Sequence, residues 1–167
     1  ATTSGNMVAN LTSTHDVIPV ATTFDSTKPD TYSFVNNMTT FDSLGNRHEI
    51  NVFYVKRSES TTAGNTWDVY TLDSSAKPAE TADKRGSMTF DTNGALQSVT
   101  NGTNPASTTD FTLTIPMGVV NGAPAQTFTL SVAGSKQQNT GTDSIVTQNQ
   151  TGYAAGEFTG FQINNDG

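Results

Sequence analysis

Two histidines, His15 and His48, are the side chains of this sequence best suited to acid–base or metal chemistry, and they lie far apart in the chain. A Ser–His–Asp arrangement is assembled in space, so the sequence leaves it open, but no G-x-S-x-G elbow is present. A zinc site needs a third ligand and is usually marked by spacings such as H-x-x-x-H, which are absent. We therefore predict that His15, beside Asp16, lies in a turn, and that His48 occupies an exposed position of a strand.

Two acidic turns, Asp42-x-x-x-Asn46 and Asp91-x-Asn93, resemble fragments of calcium-binding loops. A complete EF-hand loop supplies more oxygen ligands and a closing Glu, which neither segment has, so both are predicted to be hairpin turns. No glycine-rich loop follows a strand and precedes a helix, and the chain has no Cys. The sequence thus predicts no catalytic, cofactor-binding or metal-binding residues, no cofactor and no enzymatic activity.

The aromatic side chains of Trp67, Tyr54 and Tyr70 leave one binding function open. On an exposed face they would suit a carbohydrate-binding or adhesin-type β-sandwich, whereas a single Trp among alternating strand residues more often packs in a core. A third hypothesis, a secreted hydrolase, requires His15 or His48 in a cleft beside a carboxylate. The carbohydrate-binding or adhesin-type hypothesis predicts a solvent-exposed Trp67 or Tyr70.

Composition restricts both the fold and the partners. Hydrophobic residues make up 33% of the 167-residue chain and charged residues 14%, and the balance is rich in Thr, Ser, Asn and Gly. Thr favours strands and the others favour turns. The net charge of −7 repels phosphate backbones and anionic lipid, so we expect neither nucleic acid nor membrane as a partner. The chain begins at Ala1 without a signal-peptide pattern, and we expect it to be an excerpt of a longer protein.

Alternation of period two marks the strands. In Arg47–Arg57, Ile50, Val52 and Tyr54 share one face while Phe53 and Val55 share the other, which predicts a central strand covered on both sides. Its hairpin partner is predicted at Tyr32–Phe41. Further strands are predicted at Trp67–Leu72, Gly86–Asp91, Ala95–Val99, Phe111–Ile115 and Phe128–Val132, the last two joined as a second hairpin by a loop over Pro116–Gln126.

The intervening polar stretches Ser58–Asn65, Ser74–Arg85 and Asn101–Asp110 are predicted to be surface loops. Ala1–Leu11 and Gln137–Gly167 differ from the middle of the chain by their sparse apolar positions. Strands separated by turns at these intervals predict an all-β fold, a β-sandwich or flattened β-barrel of mostly antiparallel strands.

Two stretches of the chain carry distinctive motifs. One is the C-terminal run Ser135–Gly167, with the elements Gln137-Gln138-Asn139-Thr140-Gly141, Gln150-Thr151-Gly152-Tyr153, Gly156-Glu157-Phe158 and Asp166-Gly167. The other is the hairpin region Thr40–His48 with Phe53–Lys56, followed by the Trp67-x-Val69-Tyr70 strand. Both stretches resemble the bacterial flagellar hook protein family, and the resemblance covers nearly the whole chain in order.

The resemblance implies three segments: residues 1–11 arriving from an inner hook domain, an outer β-rich domain over 12–155, and residues 156–167 returning to the inner domain. It implies a structural subunit of the extracellular flagellar hook, the flexible helical joint that transmits motor torque, exported through the flagellar secretion channel. The implied partners are other hook subunits and the hook cap, rod and hook–filament junction proteins. The excised domain alone is expected to be monomeric, with the loops Ser58–Asn65 and Ser74–Arg85 facing neighbouring subunits or solvent.

Overall fold

The computed structural model describes residues 1–76 and 81–155, and these fold into ten strands and one 3₁₀ turn, Pro29–Thr31. Along most of these strands, more and less buried side chains alternate, which is the periodicity of a strand with one face in a core. The strands are β1 Ser4–Thr12, β2 Phe34–Phe41, β3 Arg47–Ser58, β4 Asn65–Asp73, β5 Asp83–Phe90, β6 Leu96–Asn101, β7 Thr112–Met117, β8 Gln126–Ser131, β9 Lys136–Gln138 and β10 Ser144–Gln150. None of the described segments is a helix long and apolar enough to cross a membrane.

The first sheet is an antiparallel meander in the order β2-β3-β4-β5-β6. Its first hairpin, β2–β3, is the predicted one, and it pairs Phe41 with Arg47 and Phe34 with Tyr54. β3 lies between β2 and β4, and both of its faces are buried in its central part, Val52–Lys56. The prediction of a doubly covered central strand is therefore confirmed.

The second sheet has the order β10-β1-β8-β7, with the short β9 also paired to β1. The predicted second hairpin is confirmed, since β7 and β8 pair Leu113 with Leu130. The hairpin is longer than predicted, because β7 continues through Pro116 to Met117. A proline is tolerated there because β7 is an edge strand.

β1 makes the only parallel pairings among the described strands, running alongside β8 and then β9. The chain leaves the sheet between those two strands, and the Ser135 hydroxyl fills the gap by accepting a hydrogen bond from the Ala9 N–H at 3.0 Å. A buried backbone donor would otherwise be left unpaired.

The hydrophobic core lies between the two sheets, where apolar side chains from eight strands interdigitate. Tyr54 and Trp67 are fully buried in it, and the Trp67 indole N–H donates to Gln137 Oε1 at 2.7 Å. The remaining core includes Met7, Ala9, Leu11, Met38, Ile50, Val52, Val69, Met88, Phe90, Val99, Leu113, Ile115, Met117, Phe128, Leu130 and Val132.

Side-chain amides close the gaps between the edges of the two sheets. On one side, the Asn36 amide donates to Gln148 Oε1 at 2.6 Å and Gln148 Nε2 donates to the Asn37 carbonyl. On the other, Asn101 Oδ1 accepts from the Thr114 N–H at 3.1 Å while Asn101 Nδ2 donates to the Thr114 hydroxyl. The Asn37 carbonyl and the Thr114 N–H are backbone groups of edge strands, and these bonds make them unavailable for pairing with foreign strands. The predicted all-β sandwich is confirmed, with both seams closed as in a flattened barrel.

A long strap, residues 13–33, covers the outer face of the first sheet. Phe24 stacks on Tyr70 with ring centroids 4.0 Å apart and meets Phe53 edge-on at 5.1 Å. The buried Lys56 ammonium donates to the carbonyls of Ser13 and His15, both at 2.9 Å, and so fixes the start of the strap. This cover explains why β3 carries apolar residues on both faces.

The ends of the described chain contribute more to the domain than their composition predicts. Residues 1–11 form most of β1, where Met7, Ala9 and Leu11 are fully buried. Part of the polar stretch after Gln137 forms β10. In addition, β5 begins at Asp83, inside the predicted loop Ser74–Arg85, whose positions 77–80 are outside the described residues. The predicted segment 156–167 lies outside them as well.

Candidate functional site

The described residues place the two histidines at opposite ends of the sandwich. His48 lies at the end formed by the β2–β3 turn, the end of β4 and the loop after β7. We call this end of the sandwich the junction end, because β1 begins and β10 finishes there. His15 lies at the other end, which we call the distal end, in the turn after β1 and near β9. The prediction that His15 belongs to a turn is confirmed.

His48 is completely buried between two carboxylates, so the prediction of an exposed strand position is wrong. Its Nε2 lies 2.7 Å from Asp42 Oδ2 and its Nδ1 lies 2.5 Å from Asp73 Oδ2. Arg47 and Glu49, its neighbours in sequence, point to the opposite face and pair with each other at 2.8 Å. The polar flanks suggested exposure, but the loop after β7 covers the His48 side of the strand.

The carboxylates beside His48 are themselves satisfied by backbone donors. Asp42 Oδ1 accepts from the N–H groups of Leu44 and Asn46, both at 3.0 Å. Asp73 accepts from the N–H groups of Ser75 at 3.0 Å and Gly118 at 2.9 Å. Because Gly118 belongs to the second sheet's hairpin loop, the cluster joins the two sheets at this end.

Hydrogen bonding outweighs burial in setting the charges of this cluster. Burial acts to lower the pKa of His48, but the hydrogen bonds to Asp42 and Asp73 raise it above its ordinary value. Burial likewise acts to raise the pKa of Asp42, while its bonds to His48 and Asn46 hold it below the usual range. The geometry and the direction of these shifts both favour an imidazolium between two carboxylates.

The same geometry leaves the cluster without access for a substrate. All three side chains are buried, and both ring nitrogens are engaged. Within residues 1–76 and 81–155, no group of three His, Cys, Asp or Glu side chains is arranged to hold a metal ion. The cluster is suited to hold the hairpin tip in place, which is a positioning role.

At the distal end, His15 contacts the Asp143 carboxyl group, with Nε2 2.6 Å from Oδ2. The other oxygen of Asp143 accepts from the Thr12 N–H at 2.7 Å. The imidazole packs edge-on against Trp67 at a centroid distance of 5.8 Å. This pair is partly exposed and ties the turn after β1 to the segment before β10.

The aromatic residues considered for carbohydrate binding do not form an exposed patch. Trp67 and Tyr54 are buried in the core, and the Tyr70 ring is covered by Phe24 of the strap. The carbohydrate-binding alternative required an exposed Trp67 or Tyr70, so it is not supported.

Both acidic turns are hairpin turns, as predicted. In Asp42–Asn46 and Asp91–Ala95 the leading Asp carboxylate accepts two backbone N–H groups of its own turn. The conformation requires a positive φ at the fourth residue, which is 78° at Gly45 and 87° at Gly94.

The beginning and the end of the described chain lie side by side. β1 and β10 are antiparallel, with Gly5 opposite Gln150. The Thr2 N–H donates to the Phe41 carbonyl at 2.7 Å, and the Thr2 hydroxyl donates to Gln150 Oε1. Farther along, the Ala155 N–H donates to the Gly45 carbonyl at 3.0 Å. This chain junction therefore rests on the tip of the β2–β3 hairpin.

The model of the flagellar basal body protein FlaE D2 domain matches residues 10–153. Flagellar hook protein FlgE of Salmonella typhimurium is 43% identical over an alignment of 169 residues, which covers 100% of this chain and 38% of the relative. The corresponding protein of Escherichia coli K12 is 39% identical over 166 residues, covering 99% and 37%. The chain thus spans less than two fifths of the length of these curated relatives.

A similar fold is found in a 32 kDa fragment of the flagellar hook protein FlgE from Caulobacter crescentus. The TM-score is 0.51 at 16% identity, and the match covers 72% of this chain and 46% of the fragment. At that identity the likeness concerns the fold.

Proposed function

The chain belongs to the flagellar hook protein family, through its match to the FlaE D2 domain, and we propose that it is the outer β-rich domain of a hook subunit. In this proposal the subunit assembles with copies of itself into the helical tube that joins the motor to the filament. The domain lies outside the cell and has a structural role without enzymatic activity. Head-to-tail contacts that do not close produce open helical assemblies of this kind.

The observation that carries the proposal is the chain junction. β1 and β10 run antiparallel beside each other, so a longer chain can enter and leave the domain at one end. We propose that residues 1–11 arrive from an inner domain while also supplying β1, that 12–155 complete the outer domain, and that 156–167 return. A domain attached through two adjacent segments can move as one body.

The closed seams support the same role. The amide bridges at Asn36, Gln148 and Asn101 protect the sheet edges, so neighbouring subunits would meet through loops and side chains rather than by uncontrolled strand pairing. Contacts of that type are polar and exchangeable, which suits a joint that bends while it rotates.

We propose no nucleic acid or membrane partner. The hook cap, rod and hook–filament junction proteins are proposed as partners of the whole subunit, and the domain alone is proposed to be monomeric.

The proposal is tested by deleting the segment that matches this chain from the hook gene of a motile bacterium, restoring it, and imaging the hooks. We expect the deletion to abolish curved, flexible hooks and the restored gene to return them. Normal hooks and full motility without the segment would contradict the proposal.

A second test concerns the loop Ser58–Asn65, where Thr61 and Thr62 are exposed. Replacing both with Lys introduces charge without touching the core, and a matched pair of Lys substitutions at the exposed Thr103 and Asn104, in the loop after β6, serves as the control. If the loop contacts a neighbouring subunit, only the first pair changes hook curvature. Unchanged curvature and motility would count against an interface at this loop.

A further inference from the structure

Hydrogen-bond counting favours one protonation state for His48. An ionised carboxylate can only accept hydrogen bonds, and a neutral imidazole has a single N–H. With both carboxylates ionised, the contacts of Nε2 with Asp42 at 2.7 Å and of Nδ1 with Asp73 at 2.5 Å can both be hydrogen bonds only when the ring carries two protons. Loss of one proton would place a nitrogen lone pair against a carboxylate oxygen.

The bond that His48 makes to Asp42 reaches the chain junction in two steps. Asp42 orders its turn by accepting the N–H groups of Leu44 and Asn46. The Gly45 carbonyl of that turn then accepts the Ala155 N–H at 3.0 Å. A Cβ on Gly45 would meet the Ala155 backbone within 2.6 Å, so the two segments are in close contact.

No other charged side chain is bonded to the His48 ring among the described residues. From the β2–β3 turn it faces Asp42, whose second oxygen also accepts the Asn46 side-chain amide at 3.1 Å. From the end of β4 it faces Asp73. From the loop after β7 the contribution is the neutral Gly118 N–H, which donates to Asp73. The proton on His48 therefore holds together two anions that no other cation bridges within the described part of the chain.

We propose that the proton on His48 holds the hairpin tip in place, and that its loss weakens the hydrogen bonds of the turn Asp42–Asn46 and with them the contact between Gly45 and Ala155. The stability of the chain junction then depends on pH. Deprotonation replaces an attraction at Nε2 or Nδ1 with a repulsion. Apart from His48, the described bonds of Asp42 all come from its own turn, whereas Asp73 is also held by the Gly118 N–H of the loop after β7.

The distal turn Asp91–Ala95 provides an internal reference for the test. It has the same backbone hydrogen bonds, and its Gly94 carbonyl accepts the Gln137 N–H at 2.9 Å in the way that Gly45 accepts Ala155. Asp91 has no histidine bonded to it among the described contacts.

The experiment uses the 167-residue chain, with NMR of the histidine ring nitrogens and amide hydrogen exchange measured on the same samples from about pH 5 to about pH 9. We expect the His48 nitrogens to report an imidazolium at the acidic end. As they convert to imidazole, the protection of the Gly45 and Asn46 amides should fall about tenfold or more relative to that of Gly94 and Ala95.

Two variants separate the effect of the His48 titration from the effects of other titrating groups. His48→Gln should give a low protection ratio that no longer changes with pH, while His15→Gln should leave the wild-type pH dependence intact. If His48→Gln does not fold, the proposal is still tested by the wild-type chain, through its histidine ring-nitrogen signals and its amide protection ratio. A neutral His48 at about pH 6, a constant protection ratio through its titration, or a dependence abolished by His15→Gln would each overturn the proposal. None of these readouts depends on whether the protein forms a hook.

Discussion

Two turns with the same hydrogen bonds lie at opposite ends of this sandwich, Asp42–Asn46 at the junction end and Asp91–Ala95 at the distal end. In each, the Asp N–H donates to the carbonyl of the fifth residue, at 3.0 Å and 2.8 Å respectively. In each, the glycine N–H donates back to the Asp carbonyl at 3.0 Å. Each glycine carbonyl in turn receives a later segment of the chain.

The turns differ in what packs against the leading carboxylate. Asp42 is fully buried and bonded to His48, whereas Asp91 is half-buried and bonded only within its own turn among the described contacts. Local sequence specifies the turn in both cases, because the Asp, the glycine and their spacing are enough. Burial is decided by distant segments, so the same turn is a surface feature in one place and part of an ion cluster in the other.

Replacing each of the two aspartates should give the largest difference in stability between the two turns. Asp42→Ala leaves His48 and Asp73 with an incomplete buried ion cluster, and we expect a loss of about 3–5 kcal/mol in the free energy of unfolding. Asp91→Ala removes only the bonds inside an accessible turn, and we expect a loss of about 1 kcal/mol. Urea unfolding of both variants measures the difference. Equal losses would mean that the cluster adds no stability beyond the turn itself.

Replacing the glycines tests the docking that the two turns share. Gly45→Ala and Gly94→Ala each place a side chain at a positive φ and against the backbone of a later segment, Ala155 or Gln137. Gly122→Ala is the matched control, because its φ is 82° but nothing lies within 4 Å of the added Cβ. We expect a loss of about 1 kcal/mol for the control and about 2 kcal/mol or more for the other two.

Thermal or urea unfolding of the three glycine variants checks this order. A loss at Gly45 no larger than at Gly122 would show that Ala155 moves aside without cost and does not rest firmly on the hairpin tip.

The strands of the first sheet could be predicted from the sequence because their signals are local. β3 alternates from Arg47 to Val52 and continues as an apolar run to Val55, and the turns at Gly45 and Gly94 mark its hairpin and the one after β5. β1 also alternates, through Met7, Ala9 and Leu11, but its polar neighbours masked the pattern. β10 has no such signal: five of its seven residues are exposed, and it is a strand because β1 offers it an edge.

The buried histidine could not be predicted from its own neighbourhood. His48 lies between Arg47 and Glu49, which do face outward, so alternation correctly assigns it to the other face. The closing partners, Asp73 and the loop at Gly118, are distant in sequence and reach it only through the pairing of β3 with β4 and the packing of the second sheet. The signal that could have found it is its place on the same face as Ile50 and Val52, in alternation with charged residues.

The stability that the junction end contributes should depend on pH. The pKa of His48 is raised in the folded state, so its contribution to stability is complete below its ordinary pKa of about 6.5 and is lost as the pH rises through the folded value. The pKa of Asp42 is lowered, so its contribution is present above about pH 4 and is lost as the pH falls through the folded value. Both contributions are therefore complete together only between about pH 4 and about pH 6.5.

The loss of stability at alkaline pH is the better test of His48, because carboxylates other than Asp42 also contribute to the loss of stability at acidic pH. Burial acts to raise the pKa of Glu49, but bonds from Arg47 and Thr39 hold it below its ordinary value. We expect the stability of the wild-type chain to decline above about pH 6.5 and that decline to vanish in His48→Gln while surviving in Asp91→Ala. Guanidinium unfolding across the pH range measures it. A decline that persists in His48→Gln would assign it to another group.

The smallest effect is expected at the distal histidine. The contact of His15 with Asp143 is partly exposed, with 28% of the His15 side chain accessible, so solvent weakens it and its contribution is small. Asp143 also keeps its bond from the Thr12 N–H when the imidazole is removed. We therefore expect His15→Gln to lower the free energy of unfolding by about 0.5–1 kcal/mol, part of it from the lost contact with the Trp67 ring. A loss as large as that of Asp42→Ala would mean that the distal end is held by its histidine as firmly as the junction end, and that exposure is a poor guide to the strength of a histidine–carboxylate contact in this fold.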